Sequence, residues 1–144
     1  MNLSVKCIML IDDNPHDNFF HERTIQDCNA AEQVIVMEMA EDALNYLRSL
    51  EHTPAVKPDI IFLDINMPGM NGWEFLDEYK QLDKSLQSKM LVMMLTTSSN
   101  PADEELALKH GVTMGFRTKP LTEEMLKEVL QKCTEVQDEI VETA

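Results

Sequence analysis

The sequence predicts a single α/β domain, a doubly wound sheet of five parallel strands in the order 2-1-3-4-5 with helices on both faces. Three observations predict it. Short apolar runs alternate with helix-period segments five times along the 144 residues. The first, third and fourth runs are nearly unbroken in apolar residues, as parallel strands covered on both faces require. The length fits one core and is far too short for an eight-stranded barrel. Strict alternation of strand and helix then implies right-handed crossovers and a parallel sheet.

Each element has its own signal. The first strand is expected at Val5–Ile11 and stops at Asp12-Asp13. Asn14-Pro15 offers a cap and a first-turn proline for a helix bearing Phe19, Phe20, Ile25 and Cys28. A second strand is expected at 33–38, followed by a helix with Ala40, Ala43, Leu44 and Leu47 at i, i+3, i+4, i+7 spacing. Residues 51–58, with Pro54 and Pro58, read as the loop to a third strand at 59–64. Asn71 with Glu74 three residues on forms a capping-box signature for a helix that turns Phe75, Leu76 and Tyr79 inward. A fourth strand is expected at 90–96. Asn100-Pro101 opens a fourth helix with a weak stripe, Ala102 and Leu106. A short fifth strand at 113–118 precedes a last helix carrying Leu126, Val129, Leu130, Cys133, Val136 and Ile140 inward. No internal repeat, low-complexity segment or linker interrupts the chain, which reads as one domain over 1–144 with no output domain.

Composition narrows the function classes. Twelve Lys and Arg against 26 Asp and Glu give a formal charge of −14. Such a surface repels nucleic-acid phosphates and anionic lipid, so neither nucleic acid nor membrane is an expected partner. Most of these charges serve solubility. The three cysteines, Cys7, Cys28 and Cys133, are scattered and form no C-x-x-C pair. That argues for reduced thiols in a cytoplasmic setting and against a zinc site. His16 and His21 are five apart, on different helix faces. The apolar run at 7–11 is too short for a signal peptide, and the one at 90–95 is too short to cross a bilayer.

Ligands of such sheets bind at the carboxyl ends of the strands, where the strand order reverses. The residues there are Asp12-Asp13, Asp64, Thr96-Thr97 and Lys119. Any one of these Asp residues alone is more often a turn or cap residue, a lone Thr at a strand end is usually structural, and a lone Lys is usually solvated. The conjunction at four strand ends is what points to chemistry. Three carboxylates close together repel one another, and a hard divalent cation resolves the conflict; an all-oxygen site retaining waters suits Mg²⁺. A carboxylate can also attack phosphorus, and phosphoryl transfer is mostly positioning and charge neutralisation. Lys119 can pair with a phosphoryl oxygen and a Thr hydroxyl can donate to another.

These residues resemble the receiver domain of two-component response regulators. The likeness rests on Ile11-Asp12-Asp13-Asn14, on the run from Phe62 through Asp64, Met67, Pro68 and Met70 to Gly72, on Leu95-Thr96-Thr97, and on Lys119-Pro120. It covers almost the whole chain, and the wording around Trp73-Glu74-Phe75 is similar to stand-alone, chemotaxis-regulator-like members. The resemblance implies a flavodoxin-like (βα)₅ fold and a phosphoprotein switched by an aspartyl phosphate. Asp64 would accept the phosphoryl group. Asp13 and Asp64 would ligate Mg²⁺ with the backbone carbonyl of Asn66, and Asp12 would help through water. Thr96 would bond the phosphoryl group and Lys119 would pair with it. Thr97 offers a second hydroxyl beside Thr96, although counting back from Gly111 along the fourth helix favours Thr96. Phe116 matches the aromatic switch position that moves inward as the Thr is drawn to the phosphate; by composition alone it is a core residue. Lys119-Pro120 would contain a cis peptide. Asn66 and Ser98 flank the route of a water that would slowly hydrolyse the acyl phosphate.

The implied function is a phosphoacceptor response regulator in a phosphorelay, not an enzyme turning over external substrates. Its donor would be a histidine kinase or histidine phosphotransfer protein. The output would pass through the fourth helix, fifth strand and fifth helix to a downstream protein or a second copy, as a homodimer. A haloacid-dehalogenase-type phosphatase is the competing enzyme reading, but Asn66 stands where its second Asp belongs. A pseudo-receiver that never carries phosphate sits poorly with Asp13, Asp64, Thr96 and Lys119 all present. A flavin carrier sits worse, since the carboxylates after the first strand would repel the flavin phosphate.

Overall fold

The computed structural model describes residues 4–95, 102, 105, 109 and 115–143. Five parallel strands form one sheet: β1 (Val5–Ile11), β2 (Ala31–Met37), β3 (Ile60–Asp64), β4 (Met90–Leu95) and β5 (Gly115–Thr118). Their order is β2-β1-β3-β4-β5, the order expected for five strands in a chain of this length. The register aligns Ile11 with Leu63 and Leu95 with Thr118, so these strands end along a common rim.

The pleat of the strands divides the core in two. On β1, Ile8 and Leu10 point to one face while Met9 and Ile11 point to the other; on β3, Ile60 and Phe62 oppose Ile61 and Leu63. Met9, Ile11, Ile61 and Leu63 pack against α2 (Ala40–Ser49) and α3 (Gly72–Lys80) through Leu44, Leu47, Phe75 and Tyr79. The opposite face packs on α1 (Pro15–Asp27) and the C-terminal helix (Glu123–Thr143) through Ile25, Leu126, Leu130 and Cys133. Strands buried on both faces are the reason their sequences carry no polar alternation.

Helices α1 and α3 start at side-chain caps, whereas α2 starts after Met39 without one. The Asn14 side chain accepts from the backbone N–H of His16 and Asp17, with Pro15 at the first helical position. At α3 the Asn71 side chain accepts from Glu74 N–H, and the Glu74 carboxylate accepts from Asn71 N–H. The expected capping box is therefore formed.

On α1 the apolar residues part company. Ile25 is buried, but Phe19 and Phe20 are 59% and 64% exposed and meet edge-on with ring centroids 6.0 Å apart. Asn18 and His21 take the inward positions instead. The 18, 21, 25 spacing defines the buried face, and Asn18 on it is bonded to the residue after β1. The expected fourth helix lies outside the described residues except for Ala102, Glu105 and Lys109, which are helical.

Candidate functional site

The site begins with strand register. Ile11 pairs with Leu63, so Asp12, one residue past β1, comes beside Asp64, the last residue of β3. Asp13 follows. One carboxylate oxygen from each of Asp12, Asp13 and Asp64 lies within 4.8 Å of the others. Asp12 and Asp64 are buried and Asp13 is half-buried.

Local bonds hold these carboxylates in place. Asp12 Oδ1 accepts from Asn14 N–H at 3.0 Å, and the Asp12 carbonyl accepts from Asn18 Nδ2 at 2.7 Å. Asp64 Oδ1 accepts a long bond, 3.4 Å, from Asn66 N–H. Beyond Asp64 the chain turns through Gly69, at φ +74°, and returns so that Gly72 N–H donates to Ile65 O at 2.9 Å. A Cβ on Gly72 would lie 2.8 Å from both Asp64 O and Ile65 Cα, so only glycine lets α3 start this close to the strand end.

Lys119 directly follows β5 and precedes Pro120 through a cis peptide bond, as the family resemblance implies. Its ammonium reaches across the rim to three carboxylates: Asp12 Oδ2 at 2.6 Å, Asp17 Oδ2 at 2.9 Å and Asp64 Oδ2 at 3.6 Å. Burial pulls its pKa down, but the bonds to Asp12 and Asp17 and the charges of Asp12 and Asp64 outweigh this, and the net shift is upward. Asp64 is pushed up to about 6, first by burial and second by the Asp12 charge, against the lowering pull of Lys119. Burial and then the Lys119 charge lower His21, so the imidazole on the inner face of α1 favours its neutral form.

Four of the expected site residues, Asp12, Asp13, Asp64 and Lys119, are thus brought together, with Asn66 bonded to Asp64. Thr96, Thr97 and Ser98 lie outside the described residues. The Phe116 backbone sits on β5 opposite Met93. Asp17, Asn18 and His21 join the site from α1, which an argument from strand ends alone does not reach. Their signal in the sequence is a polar stripe at 17, 18 and 21 in a helix that starts two residues after Asp12-Asp13.

The donor set fits a hard divalent cation. It consists of carboxylate oxygens, and burial together with a neighbouring charge resists ionisation of one of them, so a cation would relieve a conflict already present.

The response regulator receiver domain model matches residues 8–131. The chain belongs to that family. Among curated relatives, the nitrate/nitrite response regulator protein NarL of Escherichia coli (strain K12) is 34% identical over 125 residues. The match covers 87% of this receiver and 53% of NarL, so the chain spans about half the length of that relative. Among solved structures, a two component response regulator from Cytophaga hutchinsonii is 30% identical with a TM-score of 0.80, covering 92% of this chain and 98% of that one. The phosphorylated cyanobacterial phytochrome response regulator RcpA is 27% identical with a TM-score of 0.70, covering 98% and 97%. No helix among the described residues is long and apolar enough to cross a membrane.

Proposed function

We propose that this receiver accepts a phosphoryl group on Asp64 from a phosphohistidine donor and that the chain works as one switch domain. The observation that carries the reading is the meeting of Asp12, Asp13 and Asp64 within 4.8 Å, with Lys119 drawn to the same point. The likeness to RcpA, a response regulator solved in its phosphorylated form, supports it.

Asp12, Asp13, Asp64 and the Asn66 carbonyl are the groups that would hold Mg²⁺, which when bound would neutralise phosphoryl oxygens. The protein's own groups do the rest. An Asp64 oxygen attacks phosphorus as its Oδ–P bond forms, the P–N bond to the donor histidine breaks, and the imidazole nitrogen keeps the electron pair. Burial suits Asp64 to this, since a desolvated carboxylate is a better nucleophile than a hydrated one. Lys119 supplies a positive charge to the phosphoryl group arriving on Asp64, and Thr96 a hydroxyl donor. The change would then bias the face formed by the fourth helix, β5 and the C-terminal helix toward a downstream protein or a second copy. A histidine kinase or histidine phosphotransfer protein is the donor, and the cytoplasm is the compartment.

Intact mass after incubation with Mg²⁺ and acetyl phosphate or phosphoramidate tests the reading. The expected result is one added phosphoryl group on the wild type, none on Asp64→Asn, and none in EDTA. No gain with either donor, on folded protein that binds Mg²⁺, would leave a receiver whose business is binding alone.

A further inference from the structure

Lys119 is shared unevenly. Its two short contacts run to Asp12 and Asp17, and its long one to Asp64. Asp17 differs from the other carboxylates in origin. It comes from the first turn of α1, where the Asn14 side chain caps its N–H, and not from a strand end. Its side chain is 36% exposed, against 11% for Lys119, 5% for Asp12 and 4% for Asp64. Asp17 therefore approaches the ammonium from the solvent side, while Asp64 approaches from within.

We propose that Asp17 is a positioning residue that holds the Lys119 ammonium at an outer station on α1, from which it is released when a phosphoryl group arrives on Asp64. The proposal rests on the reading of Asp64 as phosphoacceptor. The physical reason is competition for one ammonium. A phosphoryl dianion attracts Lys119 more strongly than a partly exposed carboxylate does. Drawing the ammonium inward from its 3.6 Å separation toward Asp64 stretches its 2.9 Å contact with Asp17, and that cost sets how readily the phosphorylated arrangement forms. Asp17 touches no reacting atom; it acts through Lys119.

Two measurements test this. In the first, the affinity for beryllofluoride, a phosphoryl analogue, is measured calorimetrically with saturating Mg²⁺. Asp17→Asn should tighten it about two- to fivefold, the size of a partly exposed ion pair. In a Lys119→Ala background the same substitution should change it by much less. Equal tightening in both backgrounds would mean that Asp17 acts only through its charge at a distance, and would overturn the tether. In the second, the Lys119 Nζ signal is followed by ¹⁵N NMR in metal-free, unphosphorylated protein. Asp17→Asn should shift it and speed exchange of its protons; an unchanged signal would also overturn the tether. If the Nζ signal responds while beryllofluoride binds neither protein, the tether stands and the phosphoacceptor reading falls.

Discussion

Metal-free protein should lose stability as pH rises from about 4 to about 6, and Asp64→Asn should abolish that loss. Asp64 is raised from an ordinary value of 3.8 to about 6 by burial and by the Asp12 charge. Below the unfolded value both states hold the proton and nothing depends on pH. Between the two values the folded state keeps a proton that the unfolded chain has released, so stability falls with each step upward in pH. Above the folded value both states are ionised and the loss is complete. About two pH units at about 1.4 kcal/mol each give an upper figure of about 3 kcal/mol. The asparagine stays neutral and keeps an oxygen for the Asn66 N–H. At pH 7.5 in EDTA the variant should therefore be more stable than wild type by about 1–3 kcal/mol, or about 3–10 °C in Tm for a chain of this size. Near pH 4 the two should melt together. Thermal unfolding followed by circular dichroism across pH 4–8 reads both points. A variant no more stable than wild type at pH 7.5, or one with the same advantage at pH 4, would refute the assignment of strain to the ionised Asp64. Adding Mg²⁺ should narrow the gap by raising only the wild type appreciably.

Further substitutions separate the roles of the neighbours. Saturation with Mg²⁺ at about 100 times its Kd should stabilise wild type by about 2.7 kcal/mol through linkage, and Asp13→Asn should more than halve the Tm shift at the same concentration. Lys119→Ala should keep the Mg²⁺-induced Tm shift yet slow labelling by acetyl phosphate about tenfold or more, the worth of a bond to a charged group, as timed by intact mass. Gly72→Ala should cost about 1–3 kcal/mol in urea unfolding, because the atoms 2.8 Å from the new Cβ are backbone and cannot swing aside. Asn71→Ala removes one half of the capping box and should cost about 0.5–2 kcal/mol in the same assay.

Much of this architecture was legible in the amino-acid order because its signals are local. Unbroken apolar runs mark strands covered on both faces, and Asn14-Pro15 and the Asn71/Glu74 pair mark helix starts by bonds that span three residues. With strand and helix alternating, right-handed crossovers make the sheet parallel, and a parallel sheet brings the ends of its strands to one rim. Asp12, Asp13, Asp64 and Lys119 could be placed together for that reason alone. What the local pattern could not decide was the rotation of α1. Phe19 and Phe20 have the composition of a buried face, but Asn18 bonds the Asp12 carbonyl and His21 shares the buried stripe with Ile25, which turns both rings to water.

The sequence by itself determined which groups stand at the strand ends, since strand register is set by pattern and by short connections. Only the tertiary structure decided how one ammonium is divided among a carboxylate 102 residues away on α1 and others on β3 and after β1. That division depends on differences of about an ångström between contacts, and on burial that raises Asp64 while leaving Asp17 partly in water. Both are properties of packing in three dimensions, and no spacing along the chain encodes them.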